Sequence, residues 1–498
     1  MESEAEYRGS PRHNDSQHHQ RAEQKSLPRI WYQYYATFTL CVASFATGAS
    51  QGWASPMIQI LGSDDSPVGK MTNMEISPLE TLPSVAAIVG VIAFAGILTK
   101  FGRKVTGYLG AVFGITGGLF LLLATVKLEL YIGRFMMGLS SVGLGMVGPI
   151  YLSEIAYPSI RGALMTYTQF ASQTGSLVSF LLGIVCGYRW FTAFSMVGII
   201  LFPMVFFLIP ESPHYLLLQS KNSEAHDALL WYRGDSNVVD QELNNISKIT
   251  PKKVNYRVIF QNRVNRKMMI IFCFLYVFNI MSGATVIMGY ASKIFQESDS
   301  SLEPNVAAAI LATIKFFSSL ASIFVIDRTG RRFLVIFSFT IMGASLVVTT
   351  VYFYLLQMGS SVNNQGWIPI ASLSTFIAAN TMGVGTVGTV IATEMLTPEI
   401  KAVALGILGI LATGVTFLSL QLYSIFVEYI GSYFNFLVEA AFSISSIFIA
   451  WYIVPETKGK SITEIVEQLS KDEPRLINKS QETLPEHSFG SISTISAR

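Results

Sequence analysis

Charge is scarce in this chain. Of its 498 residues, 13% are Asp, Glu, Lys or Arg, where soluble proteins carry about 25%. An ordinary water-facing surface over most of its length is therefore excluded. The 34 basic and 32 acidic residues nearly cancel, which gives no electrostatic case for a nucleic-acid partner. Cysteine is rarer still. Cys41, Cys186 and Cys273 all fall in apolar runs, with neither metal-ligand nor disulfide spacing. No apolar core occupies the first thirty residues, so no cleaved signal peptide is expected. The segment 1–30 reads as a disordered cytosolic tail. Its His13, His18 and His19 read as solvated, and no cofactor or metal is expected. The C-terminus, Ile495-Ser496-Ala497-Arg498, offers no prenylation cysteine. No nucleophile–base constellation is visible, so an enzyme is not expected.

What is abundant is apolar sequence: 51% of the residues are hydrophobic, gathered in runs of about 20, enough to cross a bilayer as helices. Twelve spans are predicted, at 31–53, 82–100, 107–126, 131–152, 163–187 and 190–209, then 268–292, 306–326, 333–355, 367–393, 402–427 and 433–454. The polar insert between the two groups is rich in Lys, Asn, Asp and Glu. The expected organisation is an N-terminal six-helix bundle at 31–210, a cytosolic linker with short helices at 211–267, a C-terminal bundle at 268–454 and a cytosolic tail at 455–498. The predicted fold class is an all-α membrane protein, twelve transmembrane helices in two pseudo-symmetric bundles. With the N-terminus inside, 28 of the 34 Lys and Arg residues fall on the inner side. Lys70, Lys127, Arg189 and Lys293 fall outside, so both termini are expected in the cytosol.

The two halves echo each other. Asp327-Arg328-Thr329-Gly330-Arg331-Arg332 makes a charged turn between two apolar runs, as Gly102-Arg103-Lys104 does earlier. Gly330 is expected to let the backbone reverse there. Glu154 precedes Arg161 at the spacing by which Glu394 precedes Lys401, and Pro210-Glu211 is matched by Pro455-Glu456. A parallel repeat of this kind commonly places a substrate between its copies. Each half so carries an acid–base set at the inner surface: Arg103, Lys104, Glu154, Arg161 and Glu211 in the first, and Asp327, Arg331, Arg332, Glu394, Lys401 and Glu456 in the second. An isolated exposed pair is worth only about 0–1 kcal/mol. Positive-inside topology explains the bases but not the repeated acids. The sets are read as an inner gate, closed when the protein opens outward.

These motifs resemble the sugar-porter family of the major facilitator superfamily. The resemblance rests on Asp327–Arg332, Gly133-Arg134-x-x-x-Gly138, Pro149-x-Tyr151-x-x-Glu154 with Arg161-Gly162, Pro210-Glu211-Ser212-Pro213 and Pro455-Glu456-Thr457-Lys458-Gly459. It covers the chain from 31 to 460. Gly52-Trp53-Ala54-Ser55-Pro56 and Trp231-Tyr232-Arg233-Gly234 resemble the insect trehalose-transporter-like branch. The resemblance implies alternating-access movement of a small solute through the plasma membrane by a monomer, with a sugar such as trehalose or a hexose as cargo. Thr99 stands where the family usually has an acid.

A sugar site needs amides and hydroxyls, with an aromatic platform. The family's fifth-span Gln is kept as Gln169. Its seventh-span Gln-Gln reads Asn279-Ile280 and the following Asn reads Thr285. Its tenth-span Pro-x-Pro-Trp region reads Thr386-Val387-Gly388-Thr389, and its eleventh-span Asn-Trp reads Ala412-Thr413. The candidate solute contacts are Gln169, Asn279, Thr285, Lys315, Thr381 and Thr389. Lys315 replaces an eighth-span amide and lies near the midplane, where a lone ammonium is costly. Three roles stay open to it: neutralising an anionic solute, donating to hydroxyls in a wet cavity, or facing outward without function. No acid is expected as deep as Lys315, and none sits in the middle of the first span, so gradient-driven facilitation is expected. The alternatives are a uniporter of an anionic or non-sugar solute using Lys315, and a non-transporting sensor. His214, after Pro-Glu-Ser-Pro, reads as an exposed bystander.

Overall fold

A computed structural model describes residues 30–248, 263–300, 302–359, 365–395 and 398–458, with Lys460, Glu464 and Glu467. The expectations for the N-terminal tail, including its histidines, and for most of the C-terminal tail lie outside the described residues. So do the side chains of Asp327, Thr389, Glu394 and Lys401.

The described residues are helical, with no strand among them. Ile30–Gln51, Asn73–Phe101, Arg103–Leu122, Lys127–Ile155, Arg161–Val185 and Tyr188–Phe206 form the first six spans. The second six start with Arg263–Met281, which Ala284–Gly289 and Ala291–Glu297 continue after a break. Pro304–Arg328 and Arg331–Gln357 follow, then Trp367–Met382 continued by Val384–Met395, and last Pro398–Tyr429 and Ser432–Ile453. Among the described residues, 10 helical segments are long and apolar enough to cross a membrane. The first and fifth spans are more polar because they pack on each other: Gln33, Thr37 and Thr39 on one, and Thr168, Ser176 and Ser179 on the other, are buried. Ser179 Oγ donates to the Ala49 carbonyl at 2.8 Å, so these polar groups meet protein rather than lipid.

The second span begins at Asn73, well ahead of the expected 82. Glu75 accepts from the Thr72 backbone N–H at 2.9 Å, half of a Thr72–Glu75 capping box, and this seals the helix start upstream of the apolar run. The first and seventh spans are broken alike. The first stops at Gln51 and resumes as Ala54–Leu61; the seventh stops at Met281 and resumes past Gly283, whose φ is +98°.

Exposed aromatics mark the two membrane faces. Trp31, Trp451 and Tyr452 ring the end where the first span starts and the last one finishes, the inner end in the expected orientation; Trp190, Trp367 and Tyr429 ring the opposite, outer end. Three helices, Pro213–Leu218, Asn222–Arg233 and Ser236–Lys248, occupy the described part of the insert. Arg233 pins them to the first bundle. It donates to the Ile155 carbonyl at 2.8 Å, forks onto Glu242 and lies 4.1 Å from the Tyr157 ring centroid. Tyr232 Oη meets Tyr151 Oη at 2.7 Å.

Candidate functional site

Two places collect the chain's polar chemistry: the inner feet of the bundles and a cavity between them. At the first foot, Arg103 forks onto Glu154, with Nε to Oε2 at 2.9 Å. Glu211 accepts from the backbone N–H groups of Arg103 and Lys104 at 3.2 and 2.9 Å, capping the third span. Lys104 Nζ donates to the Phe207 and Ile209 carbonyls that end the sixth span. The second foot repeats this. Glu456 accepts from Arg331 and Arg332 N–H at 2.9 and 3.2 Å, and Arg332 donates to the Trp451 carbonyl that ends the twelfth span. Arg103 and Arg331 each also donate to the carbonyl five residues back, Leu98 and Ile326. Arg161 donates to the Ala156 carbonyl at 3.3 Å. These contacts lie within one half, not between the halves.

The Glu456 carboxyl sits just past the twelfth span. Burial works against its charge, but the N–H groups of Lys458, Arg331, Arg332 and Thr457 outweigh that and hold its pKa below the usual carboxylate value.

At the outer end, hydrogen bonds join the halves. Ser292 N–H donates to Ser55 Oγ at 3.1 Å, and the two hydroxyl oxygens are 3.3 Å apart. Asn305 Nδ2 donates to the Gly183 carbonyl at 3.2 Å, and Asn73 Nδ2 to Glu428 at 3.4 Å.

Beneath this seal is a cavity of about 510 Å³ lined by both halves, within the rough 300–1,000 Å³ range of small-molecule sites. Asn279, Thr285, Lys315 and Thr381 line it. Gln169 does not: it is exposed, two helical turns inward of Ser176, which with Phe180 brings the fifth span to the cavity. The cavity hangs below the outer seal, so the inner third of the fifth span misses it. Asn380 Nδ2 donates to Asn279 Oδ1 at 2.6 Å, which orients both amides. Phe180 supplies an aromatic face.

Two further residues line it that sequence reasoning left without a role there. Arg134 is 3% exposed. Its Nε donates to the Leu79 carbonyl at 2.6 Å and its Nη1 to the Ser50 carbonyl at 3.3 Å. Pro83 has no N–H, so it cannot supply the helical hydrogen bond to the Leu79 carbonyl, and Arg134 fills the gap. The guanidinium also lies 5.3 Å from the Trp53 ring centroid, and Trp53 Nε1 donates to Thr192 at 3.0 Å. An arginine within a span is itself a functional signal. The other residue is Glu80, 8% exposed, whose Oε1 has no hydrogen-bond partner among the described residues. An acid thus shares the cavity with Lys315, where none was expected at its depth. The helix reaches back to Asn73 and carries Glu80 inside. Glu439, 3% exposed in the twelfth span, is a second buried acid, held by Asn435 Nδ2 at 2.9 Å and packed on Gly283.

The family described as "Sugar (and other) transporter" matches residues 19–469. The chain belongs to that family. As a member it is a multi-pass membrane transporter and not an enzyme. Among curated relatives, the facilitated trehalose transporter Tret1 of Bombyx mori is 28% identical over 463 residues, covering 91% of this chain and 90% of that protein. Mouse solute carrier family 2, facilitated glucose transporter member 8, is 28% identical over 466 residues, covering 89% and 96%. Among solved structures, the inward-open xylose transporter XylE from E. coli superposes with a TM-score of 0.73 at 19% identity, covering 88% of this chain and all of that one. The shared fold is that of the major facilitator superfamily, twelve spans in two bundles.

Proposed function

We propose that the protein moves a sugar, trehalose or a hexose as first choice, down its gradient by alternating access to the central cavity. One observation carries this reading: hydroxyls and amides from both halves, Ser176 on one side and Asn279, Thr285, Asn380 and Thr381 on the other, line one cavity under a hydrogen-bonded outer seal. A solute held there contacts both bundles at once, so the bundles can rock around it. The names of the trehalose and glucose relatives support the choice of cargo. The acid–base sets act as the inner gate, each keeping its own foot stiff while the cavity is closed outward. We place the protein in the plasma membrane as a working monomer with both termini cytosolic; the basic inner loops support the orientation.

Counterflow in proteoliposomes tests the reading. Preloaded trehalose, glucose or xylose should drive saturable entry of the labelled sugar, and a protonophore should not slow it. The absence of counterflow with every neutral sugar would sink it.

A further inference from the structure

We propose that the cavity prefers a polyhydroxylated solute bearing one carboxylate, a sugar acid, and that Lys315 receives the acid. The inference rests on the reading that this cavity is the solute site. Three formally charged side chains line it: Glu80, Arg134 and Lys315. Arg134 is occupied by the Leu79 and Ser50 carbonyls and the face of Trp53. Glu80 follows Leu79 in the second span and lies within electrostatic reach of Arg134. Both belong to the first bundle. Lys315 enters from the second, mid-way along the eighth span, with no ion pair or hydrogen bond among the described residues and no charged group acting on it. Glu439 does not serve it, being turned to Asn435 and Gly283 outside the cavity lining.

Lys315 is thus the ionisable side chain of the lining on which no group of opposite charge acts among the described residues. A lone ammonium at the depth of the bilayer centre calls for a partner, and the surrounding protein supplies none. A carboxylate on the solute does. The hydroxyls of such a solute find Ser176, Asn279, Thr285 and Asn380 around it. A neutral sugar can give Lys315 only hydroxyl oxygens, whereas a carboxylate both accepts its hydrogen bonds and cancels its charge.

Glucuronate and glucuronamide differ in charge and hardly in shape, so they make the test. In glucose counterflow by the wild-type protein, glucuronate should inhibit at a concentration roughly tenfold lower than glucuronamide. An inside-positive potential should speed entry of labelled glucuronate and leave glucose entry unchanged. Lys315→Gln should bring the two inhibitors together. Glu80→Gln, which removes the acid within electrostatic reach of Arg134, should widen the gap and decides the matter if Lys315→Gln does not fold. Equal inhibition in the wild type, a preference that survives Lys315→Gln, or a gap that Glu80→Gln leaves unchanged overturns the proposal. Glucose counterflow with no preference for the acid leaves the sugar reading standing and removes this one. No counterflow of any sugar or sugar acid removes both.

Discussion

Gly102 and Gly330 occupy matching places in the two halves, yet different physics fixes each. Gly102 has φ +98°, a backbone that side chains rarely adopt, and a Cβ there would sit 2.6 Å from Glu211 Oε2. Gly330 has φ −74° and ψ 143°, open to any residue. The reversal expected from the sequence is made without a left-handed glycine. What forbids a side chain at Gly330 is space alone: its Cβ would meet Glu456 Oε2, also at 2.6 Å. Gly330→Ala should displace the cap and cost about 0.5–2 kcal/mol. Gly102→Ala should cost roughly 1–2 kcal/mol more for the left-handed backbone. Melting of the purified variants in detergent measures both. If Gly330→Ala melts below Gly102→Ala, the assignment of strain to Gly102 is wrong.

At the level of helices, the two Pro-Glu motifs act as borrowed N-caps. Glu211 caps the third span and Glu456 the ninth, each reaching from the end of another helix. Because the folded pKa of Glu456 lies below the ordinary carboxylate value, its contribution is complete above the unfolded value near pH 4.3 and is lost as pH falls through the folded one. Glu456→Gln should therefore lower the melting temperature at neutral pH, and the gap to wild type should close as pH falls below about 4. A gap that widened on acidification would reverse the assignment. The repeated charge at a helix end was legible in the sequence, because charges between apolar runs survive any error in boundaries; that it caps another helix was not. Glu80 was not legible by hydropathy, since the apolar run begins only after Pro83. The Thr72-x-x-Glu75 capping box marks the true start of that helix and would have brought Glu80 inside. The twelve spans were readable because lipid demands long apolar runs. The retained cavity contacts were harder, because which face of a span lines the cavity depends on tilt. Gln169 and Ser176 share the fifth span, and only Ser176 reaches the cavity.

On the scale of the whole molecule, the halves are fastened at their outer ends, and opening outward must break Ser55–Ser292, Asn305–Gly183 and Asn73–Glu428 together. Each is a neutral or exposed contact, worth about 0.5–1.5 kcal/mol at most. Such a seal is strong enough to bias the equilibrium and weak enough to part within a transport cycle. That choice of small hydroxyls and amides suits a carrier, since water can replace each of these contacts as the halves part. A covalent bond in the same place should convert the bias into a lock. With Ser55 and Ser292 replaced by cysteine, and Cys41, Cys186 and Cys273 by serine, mild oxidation should join the two positions, whose hydroxyl oxygens lie 3.3 Å apart. Oxidised protein should lose counterflow and regain it on reduction. It should also admit a membrane-impermeant thiol reagent to a cavity cysteine at Thr285 from the inner side only. Undiminished transport by the cross-linked form would mean that the outer ends never part, and that the solute does not pass between these two bundles.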